Sequence, residues 1–391
     1  MKVPGEIFRQ YDIRGVVGET LSAPFARALG QSVGTTVRRG GGQRVVVARD
    51  GRVSGAALED AFVDGVRSTG VDVDRIGVAP SPMGYWAIPH LKADGGVVIT
   101  GSHNPSNYNG FKITLLGRSV WGDGIQALKG LMERDDFESG EGSESHHDLL
   151  DAYVSELVEN LAPAKRKLKV VVDAGNGVGG LTGVPVFERM GHEVIPLFVE
   201  VDGTFPNHHA DPTVEENLTH LKAAVAEHQA DLGIGFDGDG DRIGVVAHDG
   251  SVIWGDRLMI LLSRAVLAVE PGATIIGEVK CSKTMYDEIA KAGGKPVMWI
   301  TGHSLIKEKM KETGAALAGE MSGHIFFKHR YYGFDDATYA GGRLLELLAE
   351  GDKSLVEMLA DVPEMVSTPE LRREVPESIK FAVVEKVVEH F

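Results

Sequence analysis

Two short stretches of the chain combine residue types that can do chemistry. The first is Thr100-Gly101-Ser102-His103-Asn104-Pro105, which ends an apolar run, Gly96-Val97-Val98-Ile99. That run reads as a short buried strand. A Gly, a Ser and an Asn-Pro turn after a strand hold one hydroxyl at the mouth of a sheet. With His103 beside it and Lys112 ten residues on, Ser102 is placed to accept or donate a group. Taken alone, the segment also fits a plain strand-to-turn connection. The second stretch is Asp237-Gly-Asp239-Gly-Asp241-Arg242, directly after the apolar run Leu232-Gly-Ile-Gly-Phe236. Oxygen-only ligands suit a hard cation, Mg²⁺ ahead of the transition metals, and the glycines let the backbone bend until three carboxylates converge on one ion. An EF-hand loop is excluded by its own rule: Arg242 stands at the sixth position, where Gly is required, and His248 at the twelfth, where Glu is required. A solvent-facing acidic turn is a poor home for three repelling carboxylates with so little basic compensation.

Loops of this kind need sheets to hold them. Short apolar runs recur at residues 45–48, 97–99, 170–172, 194–198, 232–236, 273–276, 297–300 and 315–317, each followed by a helical pattern. Strands alternating with helices predict α/β layers with mixed, largely parallel sheets. The polar, acidic segment 135–147 reads as the clearest linker, and further breaks fall near Gly250 and at Asp361-Val-Pro363. This divides the chain into units 1–147, 148–250 and 251–363, with 364–391 left over. The first three are large enough for cores of their own and could be related repeats. The 28 residues after Pro363 are too few, although residues 378–391 read as an amphipathic helix.

The formal net charge of −16 argues against nucleic acid or an anionic membrane surface as partner. It also means that any anionic substrate must be met by locally clustered Arg and Lys. A single cysteine, Cys281, excludes an intramolecular disulfide framework and fits a reducing compartment. The N-terminus has no apolar signal core and no run approaches a membrane span. The expectation is a soluble cytoplasmic protein.

Three ordered stretches, Thr100-Gly-Ser102-His-Asn-Pro105, Asp237-Gly-Asp-Gly-Asp-Arg242 and Gly319-Glu-Met-Ser-Gly-His324, resemble the catalytic, metal and sugar-recognition loops of the α-D-phosphohexomutases. Within that superfamily the similarity is to the bacterial phosphomannomutase/phosphoglucomutase branch. It runs over essentially the whole chain, including Phe8-Arg-Gln-Tyr-Asp-Ile-Arg14-Gly and Thr301-Gly-His303-Ser-Leu-Ile-Lys307. The resemblance implies three consecutive α/β domains around a central cleft: 1–147 catalytic, 148–250 metal-binding and 251–363 sugar-recognising. It also implies a fourth, phosphate-gripping domain, of which 364–391 would be only the start. No Ser/Asn/Thr loop with an Arg occurs there, so the natural chain is expected to continue.

The same resemblance implies that Ser102 is a phosphoserine. Its phosphoryl group would pass to the free hydroxyl of a mannose or glucose monophosphate, giving a 1,6-bisphosphate, with glucose 1,6-bisphosphate as activator. One Mg²⁺ per chain would sit on Asp237, Asp239, Asp241 and a Ser102 phosphoryl oxygen. Arg14, Lys112 and Arg242 are candidates to neutralise phosphate charge. Lys112, His303 and His324 are candidates for proton transfer. Glu320, Ser322 and His324 would take sugar hydroxyls, Lys280 would assist, and Tyr11 would contact the sugar or belong to a core. Met321 stands where the glucosamine-phosphate branch carries Gln, which favours mannose or glucose phosphates. The expected partners are hexose phosphates, and the expected state is a monomer or weak homodimer.

Two other classes remain open on the residues alone. Asp173-Ala-Gly175-Asn-Gly177-Val-Gly-Gly180 matches the G-x-G-x-x-G of dinucleotide sites, with Glu200 and Asp202 about twenty residues on as ribose-binding acids. Against this oxidoreductase reading stand Asp173, which adds negative charge beside a pyrophosphate, and a tight strand-to-helix turn as the simpler account. A metal-dependent phosphatase would use the same Ser102 and aspartates with water as final acceptor. His208-His209 ahead of Asp211 reads as loop structure rather than a metal site.

Overall fold

The computed structural model describes residues 3–364, 375–376 and 379–390. It forms two compact units, Met1–Asp361 and Val362–Phe391. The first holds three sheets. The first sheet comprises β1 (Ile13–Val16), β2 (Arg44–Arg49), β3 (Asp72–Val78), β4 (Gly95–Ile99), β5 (Tyr108–Leu115), β6 (Arg118–Ser119) and β7 (Glu144–His146), in the order β1-β5-β4-β2-β3-β7 with β6 on β5. The second comprises β8 (Lys169–Asp173), β9 (Glu193–Leu197), β10 (Leu232–Phe236), β11 (Ile243–Ala247) and β12 (Val252–Ile253), in the order β12-β11-β10-β8-β9. The third comprises β13 (Thr274–Glu278), β14 (Lys295–Trp299), β15 (Leu317–Gly319) and β16 (Ile325–Phe327), in the order β14-β13-β15-β16.

The repeat that the sequence left open is visible in this topology. Each sheet contains one four-strand arrangement: β5-β4-β2-β3, β11-β10-β8-β9 and β16-β15-β13-β14. In each, the first three strands along the chain pair in parallel, through two pairings, and the last strand returns antiparallel beside the third. The three chemistry-bearing loops are therefore the same connection in three copies: β4 to β5, β10 to β11 and β15 to β16. All lie at the carboxyl end of a parallel strand, where open α/β sheets present ligands.

Composition explains the elements. The central strands are runs of β-branched residues buried on both faces, such as Val45-Val46-Val47 and Val170-Val171-Val172. The helices Ala23–Arg39 and Gly55–Arg67 cross at Gly30 and Gly65, where an added Cβ would meet the Phe62 and Arg27 carbonyl oxygens at 2.1 and 2.0 Å. Only glycine allows backbones so close. Their inward faces, with Phe25, Leu29, Val33, Phe62 and Val66, join Val45, Val97 and Phe111 in one core cluster.

The expected linker at 135–147 is corrected. Its last residues form β7, which pairs parallel with β3 from Val73↔Glu144 to Arg75↔His146. Asp72 accepts the Ser143 N–H and hydroxyl at 2.7 Å each, and Arg67 reaches Glu144 at 3.0 Å. A polar edge strand has no apolar alternation to betray it. Of the leftover segment, residues 365–374, 377–378 and 391 lie outside the described residues. The second unit's described part includes the helix Lys380–His390, where Phe381, Val384 and Val388 are exposed.

Candidate active site

The β4–β5 and β10–β11 loops meet at Ser102. Its Oγ donates to Asp237 Oδ2 at 2.8 Å and lies 3.2 Å from His103 Nδ1. The residue is 2% exposed. Its φ of +49° is in the left-handed region, which costs a side-chain-bearing residue about 1–2 kcal/mol. Strain of that kind persists only where the surroundings over-determine it. They do so here: Ser102 N–H donates to Thr100 Oγ1 at 2.7 Å, and Thr100 in turn donates to Asp50 at 2.7 Å.

Asp237, Asp239 and Asp241 are fully buried, with carboxylate oxygens within 4.8 Å of one another. Asp237 Oδ1 is held by the N–H groups of Asp241 and Arg242, both at 3.1 Å. Asp239 Oδ2 accepts from Ser81 at 2.5 Å and from Lys112 Nζ at 2.6 Å, and Lys112 also bonds Asp241 Oδ2. Asp239 Oδ1 is buried without a hydrogen-bond partner, and Asp241 Oδ1 has only the His324 ring nitrogen nearby, at 3.3 Å. Such carboxylate oxygens beside a serine hydroxyl make an all-oxygen donor set, and that set fits a hard divalent cation. Burial and the two neighbouring aspartates push the Asp237 carboxyl well up. At Asp241 burial acts in the same sense, but Lys112 outweighs it and holds the carboxyl well down. For Lys112, burial is overcome by Asp239 and Asp241, so its ammonium is retained.

The β15–β16 loop adds a second polar cluster. Glu320 accepts the Gly302 N–H at 2.6 Å through one oxygen, and its other oxygen lies 2.7 Å from His324 Nδ1 and 3.1 Å from the Ser322 hydroxyl. His324 Nε2 lies 3.3 Å from Asp241 and 3.3 Å from Arg242 Nε, and an isolated β-bridge joins Arg242 to His324. Burial works against the imidazolium of His324, but Asp241 and Glu320 push its pKa up to about 9. His303 stacks on His324 with centroids 5.9 Å apart, and the Tyr11 ring meets His303 edge-on at 5.6 Å. Both ring nitrogens of His303 are buried without a hydrogen-bond partner, and burial together with Lys307 keeps it well below the usual imidazole range. Arg14 is tied to the serine loop, donating to Asn104 Oδ1 at 2.6 Å and to the Gly101 carbonyl at 3.3 Å.

One expected site residue stands apart. Lys280 is on the rim, its Nζ 4.0 Å from Glu278 and its side chain 45% exposed. Several residues that the sequence did not single out support the site. Glu278 accepts from Thr301 at 2.6 Å and from the Met321 N–H at 3.2 Å, tying two loops of the third sheet together. Asp335 sits 3.7 Å from His303 and 4.0 Å from His324, held by Lys307 at 3.0 Å. Asp50 and Arg52 brace the Ser102 loop from below, and Asp50-Gly-Arg52 after an apolar run repeats the Asp-Gly signal of the metal loop.

The glycine turn after β8 is a prop for that loop. Asp173 accepts the Gly175 N–H at 2.9 Å and pairs with His208 Nε2 at 3.1 Å. Val178 N–H donates to the Gly238 carbonyl at 3.2 Å. A Cβ on Gly177 would lie 2.8 Å from Gly238 Cα, and one on Gly179 2.6 Å from Phe236. Protein already fills the space at these glycines, so they serve packing and the dinucleotide reading fails.

Three α/β repeats that bring a buried serine onto a carboxylate triad define a serine-centred, cation-assisted site. Three matches, described as α/β/α domains I, II and III of phosphoglucomutase/phosphomannomutase, cover residues 5–139, 151–250 and 254–366. A phosphomannomutase/phosphoglucomutase of Pseudomonas aeruginosa is 48% identical over 383 residues, 98% of this chain and 82% of that protein. A phosphoglucomutase of Neisseria gonorrhoeae is 44% identical over 374 residues, 95% of this chain and 81% of that protein. The crystal structure of a phosphoglucomutase/phosphomannomutase family protein from Burkholderia thailandensis matches with a TM-score of 0.90 at 48% identity, covering 94% of this chain and 81% of that one. The chain belongs to the phosphoglucomutase/phosphomannomutase family, whose members are isomerases. Among the described residues, no helix is long and apolar enough to cross a membrane.

Proposed function

We propose that the protein interconverts hexose 1-phosphates and 6-phosphates, of mannose, glucose or both, through a phosphoryl group carried on Ser102. The observation that carries this reading is the 2.8 Å contact between Ser102 Oγ and Asp237, made between two of the three domains that match the family. Phosphoryl transfer depends on in-line positioning and charge neutralisation. The bond from phosphorus to Ser102 Oγ breaks as the bond to a sugar hydroxyl oxygen forms. The product is a bound 1,6-bisphosphate, and transfer of its other phosphoryl group back to Ser102 completes the isomerisation. A Mg²⁺ held by Asp237, Asp239, Asp241 and an oxygen on Ser102 would supply Lewis-acid neutralisation of the transferring group.

Arg14, Lys112 and Arg242 supply fixed positive charge around it. His303 takes the hydroxyl proton, because its ring nitrogens have no competing partner. Glu320, Ser322 and His324 orient sugar hydroxyls, Tyr11 closes one side of the site, and Lys280 reaches in from the rim. In this scheme 1–147 is the phosphoserine domain, 148–250 the metal domain and 251–363 the sugar domain. The expected setting is the cytoplasm, as a monomer or weak homodimer. The burial of Ser102 at 2% exposure favours a mutase over a phosphatase, since water has little access to the serine.

The test is a coupled assay converting glucose 1-phosphate or mannose 1-phosphate to the 6-phosphate, with Mg²⁺ and a trace of glucose 1,6-bisphosphate. Activator-dependent turnover that disappears in Ser102→Ala is expected. Release of free phosphate without 6-phosphate would make the protein a phosphatase instead.

A further inference from the structure

Arg52 lies just beyond β2, 1% exposed, directly under the serine loop. Its guanidinium donates to four carbonyls of that loop: Nη2 to Ser102 at 2.7 Å and Asn104 at 2.6 Å, Nη1 to Pro105 at 2.6 Å and Tyr108 at 2.9 Å. Its Nε faces Asp50 Oδ2 at 3.1 Å, and the same carboxylate oxygen accepts from Thr100 at 2.7 Å and from the Gly101 N–H at 3.2 Å. A Cβ on Gly101 would lie 2.4 Å from Arg52 Cζ, so the loop crosses the guanidinium at a distance open only to glycine. The opposite side of the Ser102 carbonyl is closed by the metal loop, where a Cβ on Gly238 would meet that oxygen at 2.5 Å. From the second domain, the Phe205 ring faces the guanidinium at 5.2 Å.

We propose that Arg52 is a positioning residue for phosphoryl transfer, acting through the Ser102 backbone to fix Oγ against Asp237. The proposal rests on the reading of Ser102 as the phosphoryl carrier. The guanidinium is the one side chain that can offer this pattern: a planar fork of five donors, four of whose bonds here go to carbonyls and one position to a carboxylate. A lysine keeps the charge and loses the fork. Because Arg52 holds the backbone of the donor residue, its loss slows transfer to every sugar alike. A misplacement of about 1 Å at a transferring group lowers the rate by about 10²-fold.

The test uses the full chain carrying Arg52→Lys, with Thr100→Val as a second variant that cuts the same brace at the Asp50–Thr100–Ser102 link. Labelling of wild-type Ser102 from ³²P-glucose 1,6-bisphosphate checks the underlying reading first, and absence of label at Ser102 would overturn both. In Arg52→Lys, labelling rate and kcat should fall together by about 10²-fold. The KM for glucose 1-phosphate, the glucose-to-mannose rate ratio and the Mg²⁺ affinity by calorimetry should stay within a few fold. Thr100→Val should show the same pattern with a smaller loss, and it decides the matter if Arg52→Lys does not fold. Labelled wild type alongside variants with kcat near wild type, or with the loss in KM or Mg²⁺ affinity, would overturn the role of Arg52 alone.

Discussion

Lys112 shows how single residues keep this site foldable. Three buried carboxylates within 4.8 Å of one another repel, and one ammonium bonds two of them, Asp239 and Asp241. Removing one partner of a buried ion pair costs about 3–5 kcal/mol, because the remaining charge is left uncompensated. Lys112→Met should therefore melt well below wild type in chelator-treated buffer. A divalent cation would then take over the neutralisation, so the rise in Tm on adding Mg²⁺ should be larger in Lys112→Met than in wild type. Turnover should be lost in either buffer. Differential scanning fluorimetry with and without EDTA reads this directly, and equal Mg²⁺-dependent shifts in the two proteins would refute it.

At the scale of elements, the structure explains which parts were legible beforehand. The three functional loops could be read because each interrupts an apolar strand with glycine or proline at the position where reactive residue types cluster. The polar strand β7 could not, since an exposed edge needs neither alternation nor apolar residues. The threefold recurrence of one strand order was hidden because it resides in pairing, and the loops share position without sharing residues. Arg52 and Asp335 were missed for a related reason. Their partners lie 50 residues away or on other elements, so local pattern carries no trace of them.

One loop contact belongs to this scale and gives a pH prediction. His208, on the loop ahead of Asp211, clamps the end of β8 through Asp173. Burial lowers its pKa, but the Asp173 contact outweighs this and the net shift is upward from 6.5. A raised folded-state pKa means the stabilisation is fully present below pH 6.5 and is lost as pH rises through the folded value. Thermal melts of wild type and His208→Gln should accordingly differ more at pH 6 than at pH 9. A gap that is constant, or that widens at high pH, would remove the ion pair from the account.

At the scale of the molecule, the site is also the seam of the Met1–Asp361 unit. Ser102 on Asp237 and Ser81 on Asp239 tie the first sheet's loops to the second's. The Ile243 N–H donates to the Gly323 carbonyl at 3.0 Å, beside the Arg242–His324 bridge, and ties the second to the third. Lys311 on the Gly117 carbonyl at 2.7 Å ties the third back to the first. If a cation binds at this seam, the whole unit should gain stability, not the second domain alone. A ligand at one hundred times its Kd stabilises by about 2.7 kcal/mol. Trp86 hydrogen-bonds Glu156 on the helix Leu150–Asn160 and Trp254 follows β12, so the readout uses a Trp86→Phe/Trp254→Phe background, which leaves Trp121 and Trp299, both outside β8–β12 and the aspartate loop. Saturating Mg²⁺ should move the tryptophan-fluorescence transition and the far-UV circular-dichroism transition upward by the same few degrees, and Asp239→Ala should abolish both shifts. A Mg²⁺ shift seen by circular dichroism but not by tryptophan fluorescence would mean that the three repeats unfold separately. The site would then be a junction between independent domains and not the element that makes them one.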